Sequence, residues 1–244
     1  MIITSLDNNK VKDLIKLNMK KYRDLTSNFL VEGEHLVQEA YKSGCLEEII
    51  IEDGYDIDID CKRIVVTHEI LSKISNLDNP PYVIGLCKKK SDNYNLGKRI
   101  LLLDEIQDPG NLGTIIRSAV AFNIDTIILS ENCVDLYNPK VIRATQGMIF
   151  HINIFIMNGV DAIKLIKDNN ISIYGTDVNN GIDARSLSDE DKQCFALVMG
   201  NEGNGVRESI KNLCDKNLYI NMNNNVESLN VAIATSILLY ELGR

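Results

Sequence analysis

The chain of 244 residues carries a formal net charge of −8, with 45% apolar residues and no tryptophan. That balance excludes a uniformly basic nucleic-acid binder, and the apolar fraction suffices for one large or two modest packed domains. No apolar run reaches the roughly 18 residues of a bilayer span, and MIITSLDNNK lacks the apolar core of a signal peptide. The six cysteines form no C-x-x-C and lie apart from the three histidines, a pattern of reduced thiols in a cytoplasmic protein with no structural metal.

In chain order, Val11, Leu14, Ile15, Asn18, Tyr22 and Leu25 follow helical spacing with lysines on the opposite side, which predicts one amphipathic basic helix. Residues 1–24 hold six cations against three carboxylates, and Lys88, Lys89, Lys90, Lys98 and Arg99 form a second basic stretch. Each is as much a solvated face as a phosphate-binding one on charge alone. Strands are predicted at Phe29–Val31, Glu48–Ile51, Arg63–Val66 and Tyr82–Leu86. Helices are predicted over 33–42 and from a cap at Thr67 to Ile74. These elements describe a small α/β domain, 1–90, separable from the remainder. The polar, turn-rich residues 91–99 read as a linker.

From residue 100 the alternation continues through 244. Apolar strands are predicted at 100–103, 126–129, 152–156, 171–174, 195–199 and 218–220, with helices over 112–122, 139–149, 160–168, 206–214 and 228–242. Continuous apolar strands between helices imply a parallel sheet covered on both faces, with ligands held beyond the carboxyl ends of the strands.

Three loops leave such ends with unusual chemistry. DEIQDPGNLG places Asn111 as a helix cap, and Arg117 follows in an otherwise apolar helical turn. GNEGNG, 200–205, brings glycines for close backbone approach around Glu202, whose charge suits a neutral or cationic ligand and repels phosphate. It is neither the dinucleotide fingerprint nor a P-loop, which argues against a dehydrogenase or a kinase. INMNNNVESLN offers Ser228 as cap of the last helix, with Asn230 in its first turn.

DPGNLGTIIRSA, LVMGNEGNGV and INMNNNVESLNVAIA, in this order and spacing, resemble the three motifs of the SpoU (TrmH-type) RNA ribose 2′-O-methyltransferases of the SPOUT superfamily. SLDNNKVKDLIKL and FLVEGEHLVQEA resemble the small RNA-binding domain that precedes the catalytic domain in many members. The resemblance implies an α/β architecture, with a C-terminal parallel-sheet SPOUT domain holding a deep trefoil knot behind a small α/β RNA-binding domain. It implies S-adenosylmethionine as methyl donor, held by Gly200, Asn201, Glu202, Gly203, Ile220, Met222, Ser228 and Leu229, with Thr176 and Asp177 toward the adenosine. Asn111, Arg117, Glu202, Ser228 and Asn230 are the implied catalytic set, and Arg143 an RNA-facing candidate outside it. A homodimer acting on RNA is implied, ribosomal RNA before transfer RNA, with a non-catalytic RNA-binding protein as the remaining alternative. Asn221 stands where the family usually has Pro, and Asn224 where it has Gly.

Overall fold

The computed structural model describes residues 2–177, 181–223 and 225–243. The elements run β1 (Ile2–Ile3), α1 (Asn9–Lys16), α2 (Lys20–Thr26), β2 (Asn28–Glu32), α3 (Glu34–Lys42), β3 (Leu46–Glu52), β4 (Lys62–Val66), α4 (His68–Ile74) and β5 (Val83–Lys88). They continue β6 (Arg99–Leu103), α5 (Pro109–Ala121), β7 (Thr126–Leu129), α6 (Pro139–Thr145), β8 (Asn153–Ile156), α7 (Gly159–Asp168) and β9 (Ser172–Thr176). The last are β10 (Ile182–Asp183), β11 (Phe195–Met199), α8 (Glu208–Lys211), β12 (Lys216–Tyr219) and α9 (Val231–Leu242). The chain divides into two compact units, one of residues 1–91 with 135–151, the other of residues 92–134 with 152–244.

In the first unit five strands stand in the order β1-β4-β3-β5-β2, with β5 antiparallel to both its neighbours. Val11, Leu14, Ile50, Ile70 and Ile84 form its core with α1 and α4 against the sheet. The basic segment is two helices rather than one. Asn18 breaks it, because its side chain donates to the Ile74 carbonyl at 3.0 Å and accepts from Asn76, so the side chain serves the turn rather than a helix. Its positive charge is largely consumed: Lys10 pairs with Glu48, Lys12 with Asp7, Lys16 with Asp13, Lys20 with Asp24 and Arg23 with Asp135. Lys89 also pairs with Asp24.

The boundary of the first unit is more elaborate than a single linker over 91–99. Residues 135–151 belong to it, held by the Arg23–Asp135 pair at 2.5 Å, the Glu39–His151 pair at 2.6 Å and Phe29 against Tyr137. Within this segment the expected helix over 139–149 stops at Thr145. Gln146 and Gly147 take positive φ, and a Cβ on Gly147 would lie 2.8 Å from the Glu39 side chain.

The second unit is built on seven strands in the order β10-β12-β9-β11-β6-β7-β8, all parallel. RILLL, TIIL and FALVM are apolar throughout because both faces of the sheet are covered. Ile100, Leu102, Ile128, Ile163 and Val198 lie in one buried cluster on one side. The helix expected over 206–214 is the single turn α8, and the helix expected over 228–242 starts at Val231. Among the described residues no helix is long and apolar enough to cross a membrane.

Candidate active site

β11 lies between β9 and β6, and β12 lies beyond β9, so the loops leaving β6, β11 and β12 emerge from the carboxyl ends of neighbouring strands. That is where a parallel sheet opens a crevice.

The first loop caps α5 with Asp108 rather than Asn111. The Asp108 carboxylate accepts from the Asn111 backbone N–H at 2.7 Å, and Pro109 opens the helix, where its missing N–H costs nothing. The Asn111 side chain is thereby free for other work. Its amide donates to Glu202 Oε1 at 2.9 Å, and its carbonyl accepts from Asn230 Nδ2 at 2.9 Å. A carboxylate only accepts, so this orientation of the Asn111 amide is the one that satisfies both partners.

Asn230, not Ser228, caps the last helix: its Oδ1 accepts from the N–H groups of Ala232 and Ile233 at 2.9 and 3.3 Å. Capping fixes its Oδ1 and leaves its amide to donate onward. A chain Asn230→Asn111→Glu202 thus joins the three loops. Ser228 is exposed at the third loop. Asn221 is exposed as well, and Asn224 lies outside the described residues.

The second loop is a tight reversal. Asn201 and Gly205 exchange backbone hydrogen bonds of 3.0 and 2.9 Å, and the Asn201 side chain accepts from the N–H groups of Gly203 and Asn204 and donates to the Glu105 carbonyl. At Gly200 a Cβ would sit 2.1 Å from both Gly205 C and Val206 N, so only glycine lets the two strands of the reversal approach.

The second and third loops, with the end of β9 and one face of α9, line a cavity of about 340 Å³. Thr176, Asp177, Gly200, Asn201, Glu202, Gly203, Ile220, Met222, Ser228 and Leu229, all ten positions expected to meet the donor, line it. Two of them have roles of their own: Asn201 shapes the loop, and the Thr176 hydroxyl donates to the Val198 carbonyl at 3.0 Å. Sequence reasoning missed Lys211 and the inner face of α9. Lys211 pairs with Asp177, which raises the ammonium's pKa, and no local pattern announces a partner 34 residues away. Val231, Ala234 and Leu238 also line the cavity, at a helical spacing that was legible.

Arg117 stands apart from this network. It is exposed on α5, while its apolar neighbours Ile115, Ile116 and Ala119 turn into the core. Among the described residues it has no ion pair. Arg143 belongs to the first unit, 3.6 Å from Glu32. Among the described residues no three His, Cys, Asp or Glu gather as a metal site.

Residues 98–240 match the SpoU rRNA methylase family, and residues 8–85 match the MRM3-like substrate binding domain. The chain belongs to the SpoU family. It is 37% identical to the 23S rRNA (guanosine(2553)-2′-O)-methyltransferase RlmP of Bacillus subtilis, over 98% of each chain. Among solved structures, an AdoMet-bound rRNA methyltransferase from Sinorhizobium meliloti is 30% identical with a TM-score of 0.88, covering 99% of this chain and 97% of that one. AviRb from Streptomyces viridochromogenes, also in complex with AdoMet, shares the fold with a TM-score of 0.88 at 23% identity, over 97% of each chain.

The SpoU pocket fits S-adenosylmethionine on its own chemistry. Its volume lies within the usual small-molecule range. Glu202 supplies the negative charge a sulfonium cation needs, Leu218, Leu229 and Leu238 supply apolar wall for a flat base, and the glycine loop exposes main chain.

Proposed function

We propose that this protein methylates the 2′-hydroxyl of a ribose in ribosomal RNA, using S-adenosylmethionine, and that it works as a cytoplasmic homodimer. The observation that carries the reading is the cavity lined by Gly200, Glu202, Ile220 and Leu229 and bordered by the Asn230–Asn111–Glu202 chain.

Bound in the cavity, the donor supplies an electrophilic methyl group. The backbones of Gly200, Ile220 and Leu229 hold it, Met222 and Ser228 close its sides, and the trefoil knot that the family resemblance implies keeps that grip rigid. The ribose hydroxyl is a weak acid, so the protein's task is to position it and stabilise the growing negative charge. Arg117 does so. Its guanidinium stays protonated throughout, so it grips the target's phosphate or 2′-oxygen rather than accepting the proton, which leaves to a phosphate oxygen or water. Asn111, Glu202, Ser228 and Asn230 orient the ribose against the donor.

Ribosomal RNA is favoured over transfer RNA by the substrate-binding domain matched at residues 8–85 and by the name of the B. subtilis relative. Dimerisation is favoured by the outer face of α9, where Ile233, Ile237 and Tyr240 are exposed at helical spacing. The six unpaired cysteines suit a reducing compartment.

Calorimetric titration with S-adenosylmethionine, with NADH and ATP as controls, tests the pocket. Transfer of labelled methyl to unmodified ribosomal RNA, followed by alkaline hydrolysis, tests the reaction, because a 2′-O-methyl group blocks cleavage at its own position. Failure of the donor to bind at millimolar concentration, or label recovered on a base, overturns the proposal.

A further inference from the structure

Asp104 follows the last residue of β6 and is fully buried, yet it has no part in the chemistry above. Among the described residues its carboxylate takes hydrogen bonds from Arg207 alone. The backbone N–H donates at 3.1 Å, Nε at 2.9 and 3.1 Å to the two oxygens, and Nη2 at 2.6 Å. The same guanidinium reaches the Glu105 carboxylate at 3.3 Å. We infer that the Asp104–Arg207 pair is a positioning device, which fixes the donor loop 200–206 against the loop that carries Asn111 and so sets both donor affinity and alignment for transfer.

Arg207 does not line the cavity, but Val206 before it and Glu208 after it both do. It ends the glycine loop and begins α8, whose Lys211 pairs with Asp177 on the cavity wall. Asp104 begins the loop that leads to Asn111. The two loops also touch where Asn201 donates to the Glu105 carbonyl at 2.9 Å. Glu105 sits at φ +60°, a left-handed conformation that a non-glycine residue holds only when its surroundings over-determine it. The surroundings do so here: its N–H donates to Ser130 Oγ, and its carboxylate takes Arg207 and Asn132. The sequence leaves room for the fork, since a Cβ on Gly159 would come within 3.0 Å of Arg207 Nη2 and 2.6 Å of Ile210 Cδ1. A planar guanidinium delivers two fixed donors where an ammonium delivers a point charge, so the geometry and not only the charge holds the loop.

This inference rests on the methyltransferase reading, and its test separates the two. Arg207→Lys keeps the charge over buried Asp104 and removes the fork, and Asp104→Asn leaves Arg207 half-exposed and still paired with Glu105, so both variants are expected to fold. Ile163→Val, in the core of the same unit but outside the cavity lining, serves as a control for loss of stability alone. Donor Kd by calorimetry, melting temperature, and kcat at saturating donor are measured for each. Both variants are expected to weaken donor binding, to lower kcat by roughly tenfold to a hundredfold, as ångström misplacement does, and to leave the KM for RNA unchanged. Gly159→Ala, which crowds the fork without altering either charge, is expected to do the same more weakly. Wild-type kcat and donor Kd in Arg207→Lys, or equal losses in Ile163→Val at the same melting temperature, would overturn the inference. A wild-type protein that binds no donor would instead overturn the function itself.

Discussion

Asn230 performs two tasks with one amide, and its variants can separate them. Its Oδ1 caps α9 and its Nδ2 feeds Asn111. Asn230→Ala removes both. Losing a cap costs about 1 kcal/mol, which in a domain of this size lowers the melting temperature by about 2–4 °C. Asn230→Asp keeps the cap, because a carboxylate accepts the same two N–H groups and its charge suits a helix N-terminus. It cannot donate to the Asn111 carbonyl, so the chain to Glu202 is cut at its first link. A hydrogen bond of this kind contributes about 0.5–1.5 kcal/mol net, and if all of that acts in the transition state the rate falls about two- to twelvefold. The assay is single-turnover methyl transfer at saturating donor, alongside a thermal melt. The expected pattern is Asn230→Ala slow and less stable, Asn230→Asp slow and as stable as wild type. A fully active Asn230→Asp would show that the chain does not orient the reacting groups.

Arg117→Ala is expected to abolish methyl transfer while calorimetry finds donor affinity near wild type, because the exposed guanidinium lies outside the cavity lining. Gly200→Ala must displace the Gly205–Val206 backbone that a Cβ would strike, so donor binding is expected to be lost in a titration while the far-ultraviolet spectrum stays unchanged. Hydrogen bonds from Lys42 and then His151 lower the Glu39 carboxyl from 4.5 to about 2. Its stabilisation is therefore complete above pH 4.5 and lost as pH falls through 2, and Glu39→Gln is expected to flatten that limb of an acid melt. A fragment beginning at residue 92 retains 135–151 without Arg23, Glu39 or Phe29 to pack on. It is expected to aggregate in gel filtration, which a monodisperse fragment would contradict.

The strands of the second unit were legible because sheets covered on both faces demand unbroken apolar runs, and the three loops because glycine and asparagine cluster after those runs. The caps were not. Asp108 and Asn111 are both good cap residues three positions apart, as Ser228 and Asn230 are two apart, and only tertiary partners decide which side chain is left for the site. What sequence could not give is any pairing across distance. Asp104 meets Arg207 across 103 positions, and Arg23 meets Asp135 across 112. The second pairing draws residues 135–151 out of the unit that precedes and follows them in sequence, so the single linker read over 91–99 understated the boundary.

Arg117 and Arg207 show why residue type and position do not fix a role. Each comes shortly after a polar loop at a strand's carboxyl end, and each is permanently charged. Arg207 gives its donors to Asp104 and Glu105, and the Asp104 hydrogen bond raises its pKa still further, so it has little left to offer a ligand and serves by holding backbone. Arg117 has no ion pair among the described residues and lies in solvent. In the first unit Lys12, Lys16 and Lys20 face nearby carboxylates, and a phosphate approaching any of them must displace a partner already in place. A guanidinium without such a partner pays no exchange cost when a phosphate arrives. In a chain with net charge −8, the RNA contact proposed for Arg117 is therefore one that breaks no ion pair among the described residues.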